Sequence, residues 1–397
     1  VASADNWPGW RGPRGDGTST EKGFPLKWSA TDHIAWKTPI PGRGYSSPVV
    51  WENRIFLTTC LEGDPKKDKE KPRDRVLLCV NRADGKILWQ KTVVSAVLEH
   101  IHNENSYASA TPATDGKHVY VSFLDFPRLL VACYDLDGNE VWKKSPGEFH
   151  STHGFGCPPV LYNDLVLING DQDDPKAYLV ALDKSTGEER WRAPRPGVRS
   201  YCPPLVFEAG GRKQIVMTGS KCVAAYDPDT GKQLWIIDGP TEQFVASLIC
   251  HRGLFFLTAG FPTYHVMAIK PDGSGNVTNS HVVWHETKGA GYVPSPVAFG
   301  DNIFLVHDDG RASCRDALTG ELHWLERLGN HHHASPVEAE GRLYFTADDG
   351  VTWVLQASPE LEVLSKNPIG ESCFASPAFS GGQIFLRGTK HLFCINQ

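Results

Sequence analysis

Methionine is nearly missing from this chain of 397 residues, which has 2, and no stretch approaches the roughly 18 consecutive apolar residues that a membrane-spanning helix requires. A soluble protein is expected. The ten cysteines include no adjacent pair, no C-x-x-C and no C-x-x-C-H, which excludes the usual zinc-ribbon, thioredoxin-like and c-type haem spacings. Positive charge is also in short supply. With 40 Lys and Arg against 46 Asp and Glu, the net charge of −6 lacks the basic excess of a phosphate-backbone binder, so no nucleic-acid partner is expected. What the chain does have is 38 Gly, 28 Pro and 12 Trp, a punctuated composition in which repeats must be sought before domain boundaries. At the start, Ala2-Ser3-Ala4 has the small-x-small form of a signal-peptidase site, which predicts a periplasmic or extracellular protein after removal of a signal peptide.

Trp36, Trp89, Trp142, Trp191, Trp235, Trp284 and Trp324 recur at intervals of 53, 53, 49, 44, 49 and 40 residues, and 40 more lead to Leu364. A second series keeps step with them: Ser47-Pro48, Thr111-Pro112, Pro158-Pro159, Pro203-Pro204, Ser247-Leu248, Ser295-Pro296, Ser335-Pro336 and Ser376-Pro377. Between the two series lie short β-branched and aromatic runs separated by Gly, Asp and Asn turns, the pattern of strands. Each unit holds four strands, A to D, and a four-stranded unit of about 40–50 residues is a β-propeller blade. The predicted fold is therefore all-β, an eight-bladed propeller with four antiparallel strands per blade. The last unit supplies strand A (Phe374 to Phe379), strand B (Gln383 to Arg387) and strand C (His391 to Ile395), then stops. His33 to Lys37, around Trp36, has the form of the missing strand D, so the N-terminal strand is expected to complete the C-terminal blade and remove the open edges. Residues 1–32 read as an irregular arm and 33–397 as a single domain, expected as a monomer. Seven blades plus a stray hairpin would leave one pair of markers unused.

Ala181-Leu-Asp183-Lys-Ser-Thr186-Gly187-Glu-Glu-Arg-Trp191 and Ala225-Tyr-Asp227-Pro-Asp-Thr230-Gly231-Lys-Gln-Leu-Trp235 resemble the tryptophan-docking repeat of the pyrroloquinoline-quinone-dehydrogenase-like propellers, with Leu78 to Trp89 and Cys314 to Trp324 as looser copies. The resemblance extends from Trp36 nearly to the end. Trp7-Pro-Gly-Trp10-Arg11-Gly-Pro-Arg-Gly-Asp16-Gly resembles the leader of such propellers in planctomycete-type bacteria, and reads as an arm pinned to the ring by its aromatics, with a functional role for Arg11 or Asp16 as the competing reading. Dehydrogenases of this group clamp the quinone against a disulfide of adjacent cysteines and bind calcium through acidic and amide residues. This chain has no Cys-Cys pair and no segment matching that calcium site, so the resemblance implies ancestry rather than a quinone.

In this strand order the D-to-A and B-to-C connections share the face around the channel mouth, where function is expected. Nine of the 16 His fall there: His100, His102, His150, His153, His265, His307 and His331 to His333. His100, His102, His150 and His153, entering the neighbouring blades 2 and 3, are the candidate ligands of a divalent metal, with Asn103 or Glu104 in support. Blades 6 and 7 lie across the ring, so a single ion shared by both groups is not expected. The competing reading is that these His are separate polar loop residues. His153, His333 and Tyr107 are the candidate catalytic residues, and Tyr45, Arg199, Gln243, Tyr292 and His265 the candidate contacts to a small polar or carbohydrate ligand. Tyr45, Tyr107, Phe155, Tyr201, Phe244, Tyr292 and Phe374 precede their A strands and are expected either to ring the mouth or to pack at the blade tops, with Arg195 and Glu242 nearby. Five cysteines recur in strand C as core residues, and Cys157 with Cys202 is the candidate disulfide. The mixed-charge segment Glu62 to Arg75 reads as a solvated loop or lid, too polar to bury.

Three functions remain in view: a metal-assisted site for a small polar substrate, with hydrolytic or lyase chemistry slightly ahead of redox; a quinone-dependent alcohol or sugar dehydrogenase working with a redox partner; and a scaffold for envelope proteins, as in the similar propeller lipoprotein of the outer-membrane barrel assembly machinery. The His clustering favours the first.

Overall fold

Alternation within each unit dictates its pairing, as blade 1 shows. Strands Val49–Trp51, Arg54–Leu61, Arg73–Asn81 and Ile87–Ala96 form an antiparallel meander in which Val49 faces Phe56, Phe56 faces Cys79 and Cys79 faces Trp89. The computed structural model describes residues 5–63 and 70–397, and all regular structure among them is strand. Seven further sheets repeat the meander, giving the eight-bladed propeller. The last blade is closed by Ile34–Pro39, antiparallel to His391–Ile395, with Ile34 opposite Ile395 and Lys37 opposite Phe393. Strand A of that blade, Ala378–Ser380, is shorter and lies later than the sequence implies.

Each blade buries its faces against its neighbours. One core cluster joins Phe56 and Leu77 of blade 1 to Val119 and Val121 of blade 2; another joins Leu167 of blade 3 to Ile215 and Met217 of blade 4. Trp36, Trp89, Trp142, Trp191, Trp284 and Trp324 each donate their indole N–H to a carbonyl in the C-to-D turn of the next blade, at 2.8–3.3 Å. Except at Trp324, whose facing turn (357–362) has no glycine, the turn glycine lies against the indole. At Gly187 and Gly231, φ is 72° and 71°, and a Cβ would stand 2.6 and 2.4 Å from the ring of Trp142 and of Trp191. Trp235 differs. Its N–H goes to Gln214 Oε1 of its own blade, and the long C-to-D excursion of blade 5 lays Gly275–Asn276 parallel to its strand, burying it completely.

The Ser/Thr of the second repeated series has a physical reason. The amide N–H groups of Ser47, Ser247, Ser295 and Ser335 each donate to the hydroxyl one blade on, of Thr111, Ser295, Ser335 and Ser376, at 2.9 Å. These bonds tie the inner strands together around the channel.

The arm runs across the face that carries the A-to-B turns. Trp7 exchanges both backbone bonds with Val50, Thr18–Ser19 adds a parallel strand beside Val337–Ala339, and Trp28 N–H bonds Asn367. Trp7, Phe24 and Trp28 join the core shared by blades 7, 8 and 1. Trp10 reaches Ser247 Oγ with its indole N–H at 2.7 Å, and the buried Arg11 donates to the carbonyls of Pro336, Pro296 and Asp16. Asp16 accepts from the Thr18 amide and hydroxyl, so both residues serve to seat the arm.

Three expectations are corrected. Cys157 and Cys202 form no disulfide: all ten cysteines are free thiols, and Cys157 Sγ is turned to the carbonyls of Tyr201 and Cys202 at 3.3 Å. The charged segment after Glu62 does not stay solvated throughout. Its end opens strand Arg73–Asn81, where Arg75 is fully buried and pairs with Glu99; residues 64–69, the centre of the proposed lid, lie outside the described residues. Arg195 is not at the mouth but buried in a bidentate pair with Asp171 at 2.8 and 2.9 Å, capped by Tyr226 Oη at 2.9 Å.

Candidate functional site

An extended chain points every second side chain the same way, and the D-to-A connections are extended as they approach strand A. The residue two places before the Ser/Thr/Pro position therefore faces the axis in all eight blades: Tyr45, Ser109, Gly156, Tyr201, Val245, Val293, His333 and Phe374. They surround a cavity of about 560 Å³, with Trp10 of the arm also on its wall and placed at the inner end by its bond to Ser247. The volume is within the range of small-molecule sites. Where the ring residue is small, longer loops fill in. His102, Glu104 and Asn105 of the connection that carries Ser109, His153 of the one that carries Gly156, and Gln243, Phe261 and Tyr292 of blades 5 and 6 complete the lining.

The polar groups are held from behind. His153 Nδ1 lies 2.8 Å from Tyr201 Oη, which is 2.6 Å from Ser151 Oγ, leaving Nε2 as the nitrogen for a ligand. Burial, then the charge of Arg199 and the neighbouring His102, lowers the His153 pKa, so the ring is neutral at neutral pH. Arg199 is steadied by both oxygens of Asp173 at 3.0 and 3.1 Å. Tyr292 Oη donates to Gln243 Oε1 at 2.8 Å, and burial pushes the Tyr292 pKa up to about 12. Tyr45 accepts from Arg43 and packs on Phe374, with ring centres 4.6 Å apart.

His333 is placed most tightly. Asp348, in the B-to-C turn of the same blade, takes the His333 amide on Oδ1 at 2.9 Å, and its Oδ2 lies 2.7 Å from His333 Nδ1 and 2.6 Å from His331 Nδ1. Burial opposes charge on His333, but the Asp348 hydrogen bond and charge outweigh it and hold the imidazole pKa above its ordinary value. His333 Nε2 faces Glu104 Oε2 at 3.8 Å. The connections entering blades 2 and 7, three steps apart in the ring, thus approach each other through Glu104 Oε2, 3.8 Å from both His102 Nδ1 and His333 Nε2, while the candidate ligand group itself stays within blade 7.

The four His expected to share a metal are not all together. His102 and His153 are neighbours, their ring centres 5.5 Å apart, but His150 turns to Glu148 and Phe126 and His100 is exposed. Among the described residues, the group whose ligand atoms could hold an ion is His331, His333 and Asp348. Tyr107 and His265 do not line the cavity. Tyr107 Oη donates to the Glu99 carbonyl, and His265 is buried against His285, nitrogen to nitrogen at 2.8 Å. Tyr45, Arg199, Gln243 and Tyr292 do line it, with His102, His153 and His333. Of the aromatics before strand A, Phe155 and Phe244 are buried in the blade tops. His332 is also structural, buried with its Nδ1 3.1 Å from the Thr346 carbonyl and its Nε2 2.5 Å from the Leu328 carbonyl, either of which can take the ring N–H. Sequence reasoning missed Trp10 and Asp348. The second had a signal: Thr346-Ala-Asp-Asp-Gly350 repeats Val306-His-Asp-Asp-Gly310 one blade on.

Comparison with known proteins agrees with this architecture. The family described as outer membrane protein assembly factor BamB, built of PQQ-like repeats, matches residues 72–253 and 264–359. The chain belongs to this family. The outer membrane protein assembly factor BamB of Shewanella oneidensis is 19% identical over 340 residues, 81% of this chain and 80% of the relative. Among solved structures, BamB of Moraxella catarrhalis superposes with a TM-score of 0.63 at 11% identity, covering 91% of this chain and 96% of that one. The quinohemoprotein alcohol dehydrogenase of Comamonas testosteroni superposes at 0.68 and 12% identity, over 98% of this chain and 80% of that one. At these identities the superpositions show the fold.

The residues around the cavity do not fit the quinone that such folds imply. No cysteine lines it, the cysteines are separate thiols, and Glu104 is the one carboxylate among the lining residues. Among the described residues the disulfide against which a quinone would be clamped is not present.

Proposed function

We propose that this family member binds a small polar ligand of the carbohydrate class in the channel cavity. One observation carries the reading: Trp10 of the arm lines the cavity together with Tyr45, Tyr201, Phe261, Tyr292 and Phe374, so aromatic faces and hydrogen-bonding groups share one wall. Flat aromatic faces suit the apolar face of a sugar ring, while Arg199, Gln243, Glu104, His102 and His153 suit its hydroxyls. Neutral His153 is the group able to take a proton from a bound hydroxyl. Isothermal titration against a panel of monosaccharides, disaccharides and polyols tests the proposal. Saturable binding to at least one, weakened tenfold or more by Trp10→Ala and by Tyr201→Ala, is expected; no binding across the panel, or binding indifferent to both substitutions, overturns it.

A second reading follows from the relatives, which are named as outer membrane protein assembly factors, and places the protein in the bacterial envelope with a protein partner. Phe126 and Phe261 favour it, as they stand 53% and 55% exposed on B-to-C turns of the mouth face. Cross-linking in cells, with and without Phe126→Asp and Phe261→Asp, tests for a partner there. A partner whose yield is unchanged in both variants argues against this face. No helix among the described residues is long and apolar enough to cross a membrane.

A further inference from the structure

We propose that His331, His333 and Asp348 form a divalent transition-metal site of the zinc type, with Glu104 as the outer partner of His333. The three donors come from two connections of one blade that are already locked together. The Asp348 amide donates to the His331 carbonyl at 2.9 Å, and the Asp348 carbonyl accepts from Cys373 of blade 8 at 3.0 Å. The two connections are thus fixed to each other and to blade 8. Between them the two imidazoles, ring centres 4.8 Å apart, aim Nδ1 at the same carboxylate oxygen, and the three ligand atoms lie within 4.8 Å of one another. His-x-His in an extended segment puts both rings on one side, and His333 N–H holds the carboxylate by its other oxygen.

Two nitrogens and one carboxylate oxygen are a donor set for borderline divalent ions, which keep further positions for water or a ligand. Without an ion, both rings must carry a proton on Nδ1 to satisfy Asp348 Oδ2. With an ion, the Nδ1 lone pairs turn to the metal and each neutral ring carries its proton on Nε2. For His333 that N–H then faces Glu104 Oε2, 3.8 Å away, the carboxylate–histidine–metal arrangement that fixes a ligand ring. His102 and His153 belong to no such three-ligand group among the described residues; their Nδ1 atoms meet the Glu104 amide at 3.3 Å and Tyr201 Oη at 2.8 Å. The ion sits beside the cavity with His333 as the shared wall, so the inference stands whether or not the cavity takes a carbohydrate.

The test is Zn²⁺ titration of chelator-treated full-length protein against a chromophoric chelator, repeated with Co²⁺ to read its visible absorption. Wild type is expected to bind stoichiometrically. Asp348→Asn and His331→Gln should lower the affinity by 100-fold or more, and Glu104→Gln by about tenfold. His153→Ala and His102→Ala should retain the ion, and thermal melts without metal establish that each variant is folded. No stoichiometric binding by wild type, binding unaffected in folded His331→Gln, or loss confined to the His102 and His153 variants would each overturn the assignment. Sugar titration of the same variants reads the cavity separately.

Discussion

Glu338 provides a test of how the arm is seated. Its side chain is 6% exposed on the innermost strand of blade 7, opposite Thr18 of the arm, and Oε1 accepts the Gly341 amide at 2.9 Å. Burial raises its pKa from 4.5 to about 7, with the Gly341 bond opposing and the charge of Asp16 adding to the rise. In the unfolded chain the carboxyl ionises through pH 4.5; in the folded protein it keeps its proton until about 7. The unfolded state therefore releases the proton first, and stability is fully present below pH 4.5, falls as pH rises through the window and levels off above 7. At about 1.4 kcal/mol per pH unit, the loss amounts to about 3 kcal/mol. Glu338→Gln keeps an oxygen for the Gly341 amide and removes the charge. Urea melts read by tryptophan fluorescence should find the variant equal to wild type at pH 4 and more stable by up to about 3 kcal/mol at pH 8. A difference that does not change between pH 4 and pH 8, or a wild type that is the more stable at pH 8, refutes the reasoning.

Trp235→Ala should cost about 3–5 kcal/mol in the same assay, and more than Trp191→Ala, because Trp235 is fully buried and its loss also orphans Gln214 Oε1. Arg195→Ala leaves Asp171 charged and buried and should cost about 3–5 kcal/mol, part of which returns in the Arg195→Ala, Asp171→Ala double variant. Thiol titration of the denatured protein without reductant should count ten free cysteines; eight would restore a disulfide.

The fold was legible because its rules are local and repeated. A Trp against the next blade's turn and a hydroxyl bonded one blade on are each set by a few residues, and a weak signal repeated around the ring, seven times for the Trp and four for the hydroxyl bond, becomes a strong one. Blade 5 shows the limit. Its C-to-D connection leaves the blade to cover Trp235, and nothing in the spacing of Trp235 and Trp284 separates that excursion from a longer strand. The site was legible in its address and less so in its membership. His102, His153, His333, Tyr45, Arg199, Gln243 and Tyr292 were found because they occupy D-to-A connections, and they do line the cavity. Alternation alone does not settle which residues of a connection face the axis: Phe155 and Phe244, three places before their markers, are buried as it implies, but Tyr107, four before Thr111 and in phase with Ser109, bonds Glu99 outside the cavity.

Loop reach was harder to foresee than phase. Ring geometry puts blades 8 and 1 between blades 2 and 7, yet Glu104 on the long connection entering blade 2 comes within 3.8 Å of His333, on a wall where Ser109 and Gly156 leave room. The same small residues that open the cavity therefore let Glu104 stand against His333, which joins the proposed ligand site to the proposed metal site. Enlarging Gly156 would separate the two. A side chain there points at the axis with room around its Cβ, whose nearest neighbour is Ser109 Cβ at 3.5 Å, so Gly156→Leu should fill the cavity and block sugar binding while the blade 7 group keeps its ion.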